Sequence, residues 1–280
     1  MSKQSGATNQ FRALHEQGCF VLPNPWDAGS AIYLESLGFK ALATTSAGFA
    51  FSKGLPDGPE FGSRDLMLEH FREIVAATSL PVNADFQNGY ADAPEDVAAN
   101  VRLCMASGVA GFSIEDNSGR VDKPLYDFDL AIERIKSARM AIDASGIPVV
   151  LTARCEAYLV SDADPLRTSL DRLVAFADVG ADCLYAPGAG SLDEISQIVK
   201  AVAPKPVNVL LSTNNCNLTV SQLADLGVRR ISVGGALARA AWGGFVRAAK
   251  EIKEQASFTA FAEATPFGEL NDLFAGRERD

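Results

Sequence analysis

Short apolar runs recur along the chain, each ending in a polar or glycine-bearing residue. They cover residues 20–26 (FVLPNPW), 41–46 (ALATTS), 82–86 (VNADF), 111–116 (GFSIED), 149–155 (VVLTARC), 183–188 (CLYAPG), 207–211 (VNVLL) and 230–235 (RISVGG). Their length and aliphatic content predict eight β-strands. Between them apolar residues recur near every 3.6 positions: Met67, Phe71, Ile74 and Val75 form one stripe, and Val97, Val101, Cys104 and Met105 another. These predict helices that bury one face. Four helices close on a glycine just before the next strand, at Gly38, Gly108, Gly180 and Gly227. Glycine takes the left-handed cap that turns the chain there. Two later helices open on a capping box, Ser191 with Glu194 and Thr219 with Gln222.

A repeated helix–glycine–strand unit specifies a parallel sheet with crossover helices. Eight such units predict an α/β fold, a (β/α)8 TIM barrel, over residues 1–257. The aromatic stretch 258–274 (FTAFAEATPFGELNDLF) lies within a C-terminal helical arm, 258–280. That arm either covers the barrel's own edge or is swapped onto a neighbouring subunit, because an isolated apolar tail needs a partner.

In such a barrel, chemistry sits at the carboxyl ends of the strands. Period-two alternation puts Asn83 with Asp85, Ser113 with Glu115, Thr152 with Arg154, and Thr44 with Ser46 on the inward faces. Charged groups at the last inward position are costly unless paired or functional. Asp85 and Glu115 end neighbouring strands, so their carboxylates are expected to converge over the mouth and suit a hard cation. Asp57, in the GLPDG loop, adds a third acidic group. Arg154 supplies a fork for a carboxylate. The Ser46-Ala47-Gly48 backbone offers N–H groups to an anion. The alternative for Asp85 and Glu115 is a buried ion-pair set with Arg154. Tyr185, Asn208 and Arg120 occupy candidate substrate-facing positions. Gly234-Gly235 before the last barrel helix either holds a phosphate or permits close packing of that helix.

Net charge −10 and a pI near 4.8 speak against nucleic acid or an anionic membrane as partners. No apolar stretch reaches the roughly 20 residues of a membrane span, and the polar start MSKQSGATNQ lacks a signal-peptide core. Five scattered cysteines (Cys19, Cys104, Cys155, Cys183 and Cys216) without CxxC spacing suit a reducing cytoplasm. No lysine falls late in a predicted strand, which argues against a Schiff-base aldolase. The two histidines, His15 and His70, lie on helices as surface or packing residues. A histidine-based zinc site or a Ser-His-Asp triad is therefore unsupported.

At NPWDAGSA (24–31), TTSAGFAFSKGLPDG (44–58), PVNADFQNGY (81–90), GFSIED (111–116), LTARCEAY (151–158) and VRRISVGG (228–235), the chain resembles the isocitrate lyase / phosphoenolpyruvate mutase superfamily. The resemblance implies a Mg²⁺ (or Mn²⁺) enzyme that breaks or forms a C–C or P–C bond beside the oxo group of a small α-oxo acid, through an enolate. It also implies a tetramer, a dimer of dimers with swapped C-terminal helices. Carried over, it makes Asp85 the direct metal ligand and Glu115 a group bound mostly through water. Arg154 would hold the carboxylate, Ser46, Ala47 and Gly48 the substrate oxygens, and Asp57 would be a further acidic site residue.

Three departures bear on the reaction. Gln87 stands where the family commonly has an acidic outer partner of the metal. The loop NSGRVDKPLYD (117–127) lacks the Lys-x-Cys-Gly-His run of isocitrate and methylisocitrate lyases, and Cys155 should point away from the mouth. Of the mutases' Lys-Thr-Asn-Ser stretch only Asn117-Ser118 is echoed, and Pro187 replaces their site histidine. The expected activity is C–C cleavage or decarboxylation of a small α-oxo (di)carboxylate. A P–C mutase or hydrolase and a non-catalytic oxo-acid binder are the alternatives.

Overall fold

The computed structural model describes residues 3–58, 62–212, 215 and 217–276; Cys216 and the end of the expected arm, 277–280, lie outside them. The strands are β1 (Phe20–Leu22), β2 (Leu42–Ala43), β3 (Val82–Asp85), β4 (Gly111–Glu115), β5 (Val150–Arg154), β6 (Cys183–Tyr185), β7 (Val207–Leu210) and β8 (Arg230–Ser232). All pair in parallel, in the order β1-β8-β7-β6-β5-β4-β3-β2. The Ala43 amide donates to the Pro23 carbonyl at 3.0 Å, bringing the two outer strands together. The predicted barrel is thus present, with each strand inside its predicted run.

The strands are shorter than the runs for local reasons. Pro23 has no N–H to donate, and β1 stops before it. In ALATTS, Thr45 leaves the strand to cap a helix, accepting from the Gly48 amide at 3.2 Å.

Between the strands run α1 (Lys3–Glu16), α2 (Ala28–Ser36), α3 (Ser46–Ser52), α4 (Arg64–Ala77), α5 (Pro94–Ala106), α6 (Phe128–Ser145), α7 (Pro165–Asp178), α8 (Leu192–Val202), α9 (Val220–Asp225) and α10 (Ala236–Gln255). Gly38, Gly108, Gly180 and Gly227 all have positive φ, between 82° and 106°. Both predicted capping boxes form. The main core lies between sheet and helices: Phe71 and Val101 from the helices meet Phe86, Phe112 and Leu151 from the barrel wall, all fully buried. Helix α1 closes the amino-terminal end, where a Cβ on Gly111 would come within 2.6 Å of the Phe11 ring.

Inside the barrel the chain is polar. Arg230, 2% exposed, donates from Nε to Asn208 Oδ1 at 2.9 Å, and Asn208 Nδ2 donates to Ser232 Oγ at 2.9 Å. Arg230 Nη1 lies 3.3 Å from His15 Nε2. A guanidinium only donates, so that nitrogen accepts, and His15 Nδ1–H donates to the Phe11 carbonyl at 2.8 Å. Both histidines are packing residues. His70 stacks on Phe49 with centroids 4.0 Å apart, and His15 meets Phe11 edge-on at 4.7 Å.

Burial and the Arg230 charge push His15 down to about 3; burial and Lys53 push His70 down to about 4. Both rings are neutral in the fold, whereas in the unfolded chain they take protons near 6.5. At these two sites the unfolded state therefore binds more protons below that pH, and their contribution to stability falls as pH drops from 6.5 toward 3. As pH falls from 7 to 4.5, urea midpoints of His15→Gln are expected to rise relative to those of wild type. An unchanged difference between the two would show that His15 contributes nothing to the pH dependence.

After α10 the chain turns at Ala256, in the left-handed region at φ 51°, into a 3-10 turn (Thr259–Glu263) and α11 (Phe267–Ala275). Phe274 of α11 reaches α2 beside Gly29. Phe258, Phe261 and Phe267 are exposed, as are Trp242 and Phe245 on α10. Among the described residues no helix is long and apolar enough to cross a membrane.

Candidate active site

Strand register assembles the site. Asp85 lies level with Ser113, Glu115 with Arg154, Arg154 with Tyr185, and Tyr185 with Asn208. One guanidinium nitrogen, Arg154 Nη1, lies 3.2 Å from Glu115 Oε2 and 3.5 Å from Asp85 Oδ1. The carboxylates of β3 and β4 thus converge on a single cation. The Asp85 side chain keeps 17% of its surface exposed at the mouth. Tyr185 lays its ring over Arg154, 5.4 Å from ring centre to guanidinium carbon. Below the mouth a cavity of about 50 Å³ is lined by Asn83, Asp85, Arg154, Asn208 and Arg230, among others.

The geometry at the other predicted positions is more particular. Ser46 begins α3, and its amide donates to Asp85 Oδ2 at 3.0 Å. With Gly48 held by Thr45, two of the three backbone amides expected for an anion already have partners. Asp57 is an exposed residue whose carboxyl turns in toward Ser46; desolvation and the Asp85 charge raise its pKa. Asn208 has both ends of its amide engaged inside the barrel. Arg120 sits on an exposed hairpin, joined by the Asn117–Leu125 bridge, with its guanidinium 6.0 Å from the Tyr126 ring centre.

The Gly234 region follows the packing alternative. Asn24 Oδ1 accepts from the Val233 and Gly234 amides at 3.0 and 2.9 Å, and a Cβ on Gly235 would meet Ala47 at 3.4 Å. Cys155 is fully buried beside Asp116 and Ser169, away from the mouth.

One participant escaped the sequence reading. Glu156, 2% exposed, accepts from Arg154 Nε. Period-two alternation carried one step beyond the strand end, from 152 and 154 to 156, would have found it. Burial raises the pKa of Glu115 well above the carboxylate range, offset by Arg154 and reinforced by Glu156, Asp85 and Asp57. Glu156 is likewise raised by burial, and Arg154 is held firmly protonated by the surrounding acids.

Three carboxyl groups (Asp85, Glu115 and Glu156) thus pair with one guanidinium, Glu156 on its Nε edge. Asp57, its pKa raised by desolvation and by the Asp85 charge, lies close by. The acids facing the mouth, Asp85, Glu115 and Asp57, suit a cation. Gln87 adds a buried side-chain oxygen without a hydrogen-bond partner, on a backbone at φ 45° whose carbonyl accepts from the Glu115 amide at 2.9 Å. Non-glycine residues held at positive φ carry strain of the kind found at functional sites. Among the described residues no three His, Cys, Asp or Glu side chains form a ready-made cation cage. The donor set suits an ion that keeps water and substrate oxygens as ligands, as Mg²⁺ commonly does.

Parallel β/α units closed into a barrel, with acids and an arginine at the carboxyl ends, define an enzyme of the TIM-barrel class. The family model for phosphoenolpyruvate phosphomutase matches residues 11–253. A Burkholderia cenocepacia J2315 protein of known structure, provisionally described as a lyase/mutase, is 50% identical with TM-score 0.94, over 98% of this chain and 97% of that one. 2,3-Dimethylmalate lyase, a PEP mutase/isocitrate lyase superfamily member, is 28% identical with TM-score 0.84, over 95% and 94%. An uncharacterized protein of Mycobacterium tuberculosis (strain ATCC 25618 / H37Rv) is 31% identical over 93% of this chain and 94% of its own length. The chain belongs to the phosphoenolpyruvate mutase/isocitrate lyase superfamily, a family of lyases and mutases.

Proposed function

We propose that the protein is a divalent-metal-dependent lyase acting on a small α-oxo (di)carboxylate, by C–C cleavage or decarboxylation beside the oxo group. The observation that carries this reading is the meeting of Asp85, Glu115 and Arg154 at the open end of the barrel. Asp85, Glu115 and the Gln87 side chain would hold Mg²⁺ directly or through water. When bound, the ion supplies positive charge where the oxo oxygen becomes negative. Arg154 offers its nitrogens to the substrate carboxylate, and Tyr185 covers one face of that arginine and excludes water from it. Asp57 stands near Asp85 as a site acid with a raised pKa. The hairpin over residues 117–127 provides the wall that closes the site.

Turnover of a panel of oxaloacetate, alkylmalates and phosphonopyruvate, each with and without EDTA, tests the reading. Cleavage of a C–C substrate that stops with EDTA supports it. The phosphomutase family model keeps a P–C reaction as the second reading, and product from phosphonopyruvate alone would select it. Tight Mg²⁺-dependent binding of oxalate without any product would mark a binder.

The same proposal makes the protein a cytoplasmic tetramer. Its support is the exposed aromatic arm beside the exposed Trp242 and Phe245, and cysteines 19, 104, 155 and 183, which are all free. Removal of residues 258–280 is expected to reduce the mass seen by light scattering. An unchanged mass would place the assembly contacts elsewhere.

A further inference from the structure

A second line of buried charge stands behind Arg154. Asp116, 3% exposed at the end of β4, accepts the Glu156 amide on Oδ1 at 2.8 Å and Arg172 Nη1 on Oδ2 at 3.0 Å. Arg172, a buried residue of α7, donates its other terminal nitrogen to the Tyr126 carbonyl at 2.7 Å. The Tyr126 amide donates back to the Asp116 carbonyl at 3.0 Å, and the Asp116 amide to the Arg154 carbonyl at 3.1 Å. The sequence Arg172–Asp116–Glu156–Arg154 therefore runs from an outer helix to the barrel mouth, and it grips the end of the 117–127 loop on the way.

Charge balance does not account for Glu156. Arg154 already has Glu115 and Asp85 on Nη1. A third carboxylate, with its side chain 3% exposed, adds a desolvation cost that one guanidinium does not offset alone. What Glu156 adds is direction. It holds the Nε edge of a planar fork, which turns the terminal nitrogens toward Glu115 and Asp85 at the mouth. Its own backbone cannot shift while Asp116 holds the amide, and Asp116 is fixed in turn by Arg172.

We propose that Glu156 is a positioning residue for Arg154, locked by Asp116 and Arg172, so that the carboxylate grip and the anchored end of the 117–127 loop depend on one buried relay. The inference rests on the proposed α-oxo acid site and identifies what orients its carboxylate-binding arginine.

The test uses the full chain, Mg²⁺ and oxalate, with Glu156→Gln and Arg172→Lys as variants. Calorimetry on Glu156→Gln is expected to show oxalate affinity in saturating Mg²⁺ reduced about tenfold, since a charged acceptor becomes neutral. Affinity for Mg²⁺ alone stays at the wild-type value, and the melting temperature stays within a few degrees. Arg172→Lys is expected to shift oxalate affinity in the same direction by less, and it carries the test if Glu156→Gln does not fold.

A merely structural role would weaken Mg²⁺ and oxalate together, or move only the melting temperature; either result overturns the proposal, as does wild-type oxalate affinity in both variants. Wild-type protein that fails to bind oxalate would overturn the α-oxo acid reading instead. The relay would then be judged from a crystal structure of Glu156→Gln. An Arg154 guanidinium turned away from Glu115 supports it, and an unmoved one overturns it.

Discussion

Replacing Asp85 with alanine is expected to abolish Mg²⁺-supported turnover while the barrel stays folded. The side chain ends β3 at the mouth, one oxygen taking the Ser46 amide and the other facing Arg154. Loss of the amide contact costs about 1–3 kcal/mol, small enough to leave the native state populated. The functional cost is larger, because Asp85 is more open at the mouth than Glu115 or Glu156. Loss of an outer partner of a metal typically costs 10–100-fold, so removal of a direct ligand should exceed about a hundredfold. Activity across Mg²⁺ concentrations measures this, with circular dichroism to verify the fold. Undiminished turnover would remove Asp85 from the proposed metal site.

Arg154→Met should be the most damaging single change for stability. It leaves Glu115 and Glu156, both buried, and Asp85, partly open, without their shared cation. Breaking a buried ion pair from one side costs about 3–5 kcal/mol. The loss should be smaller at pH 5 than at pH 7, because carboxyls whose pKa burial has already raised take up protons and shed the uncompensated charge. Denaturant midpoints at the two pH values measure it. Arg154→Lys keeps a positive charge but loses the planar fork, so it should fold better and still bind oxalate more weakly than wild type. Wild-type oxalate affinity in Arg154→Lys would mean that the arginine does not hold the carboxylate.

Much of the fold was legible because its signals are local. A left-handed glycine, a capping box and a 3.6-residue stripe each involve a few neighbouring residues, and all eight strands fall within the predicted runs. Candidate site residues were legible where period-two alternation met a strand end, as at Asp85, Glu115 and Arg154. The reading became less accurate where chain direction changed. Thr45 had to be recognised as a helix cap before the Ser46 amide could be seen to serve Asp85. Glu156 lay one alternation step past the strand, and Asn24 takes the Val233 and Gly234 amides that a phosphate would need.

By itself, then, the sequence determined eight β/α units and a row of acids and one arginine at their carboxyl ends, since backbone sterics and side-chain periodicity act over a few residues. Only the tertiary structure decided which groups share a partner. It put His15 against Arg230 across 215 positions of chain, and Arg172 against Asp116 across 56. Contacts of that separation arise only when the sheet closes and the helices settle on it. The burial that follows raises the pKa of Glu115 and Glu156 around the arginine they share.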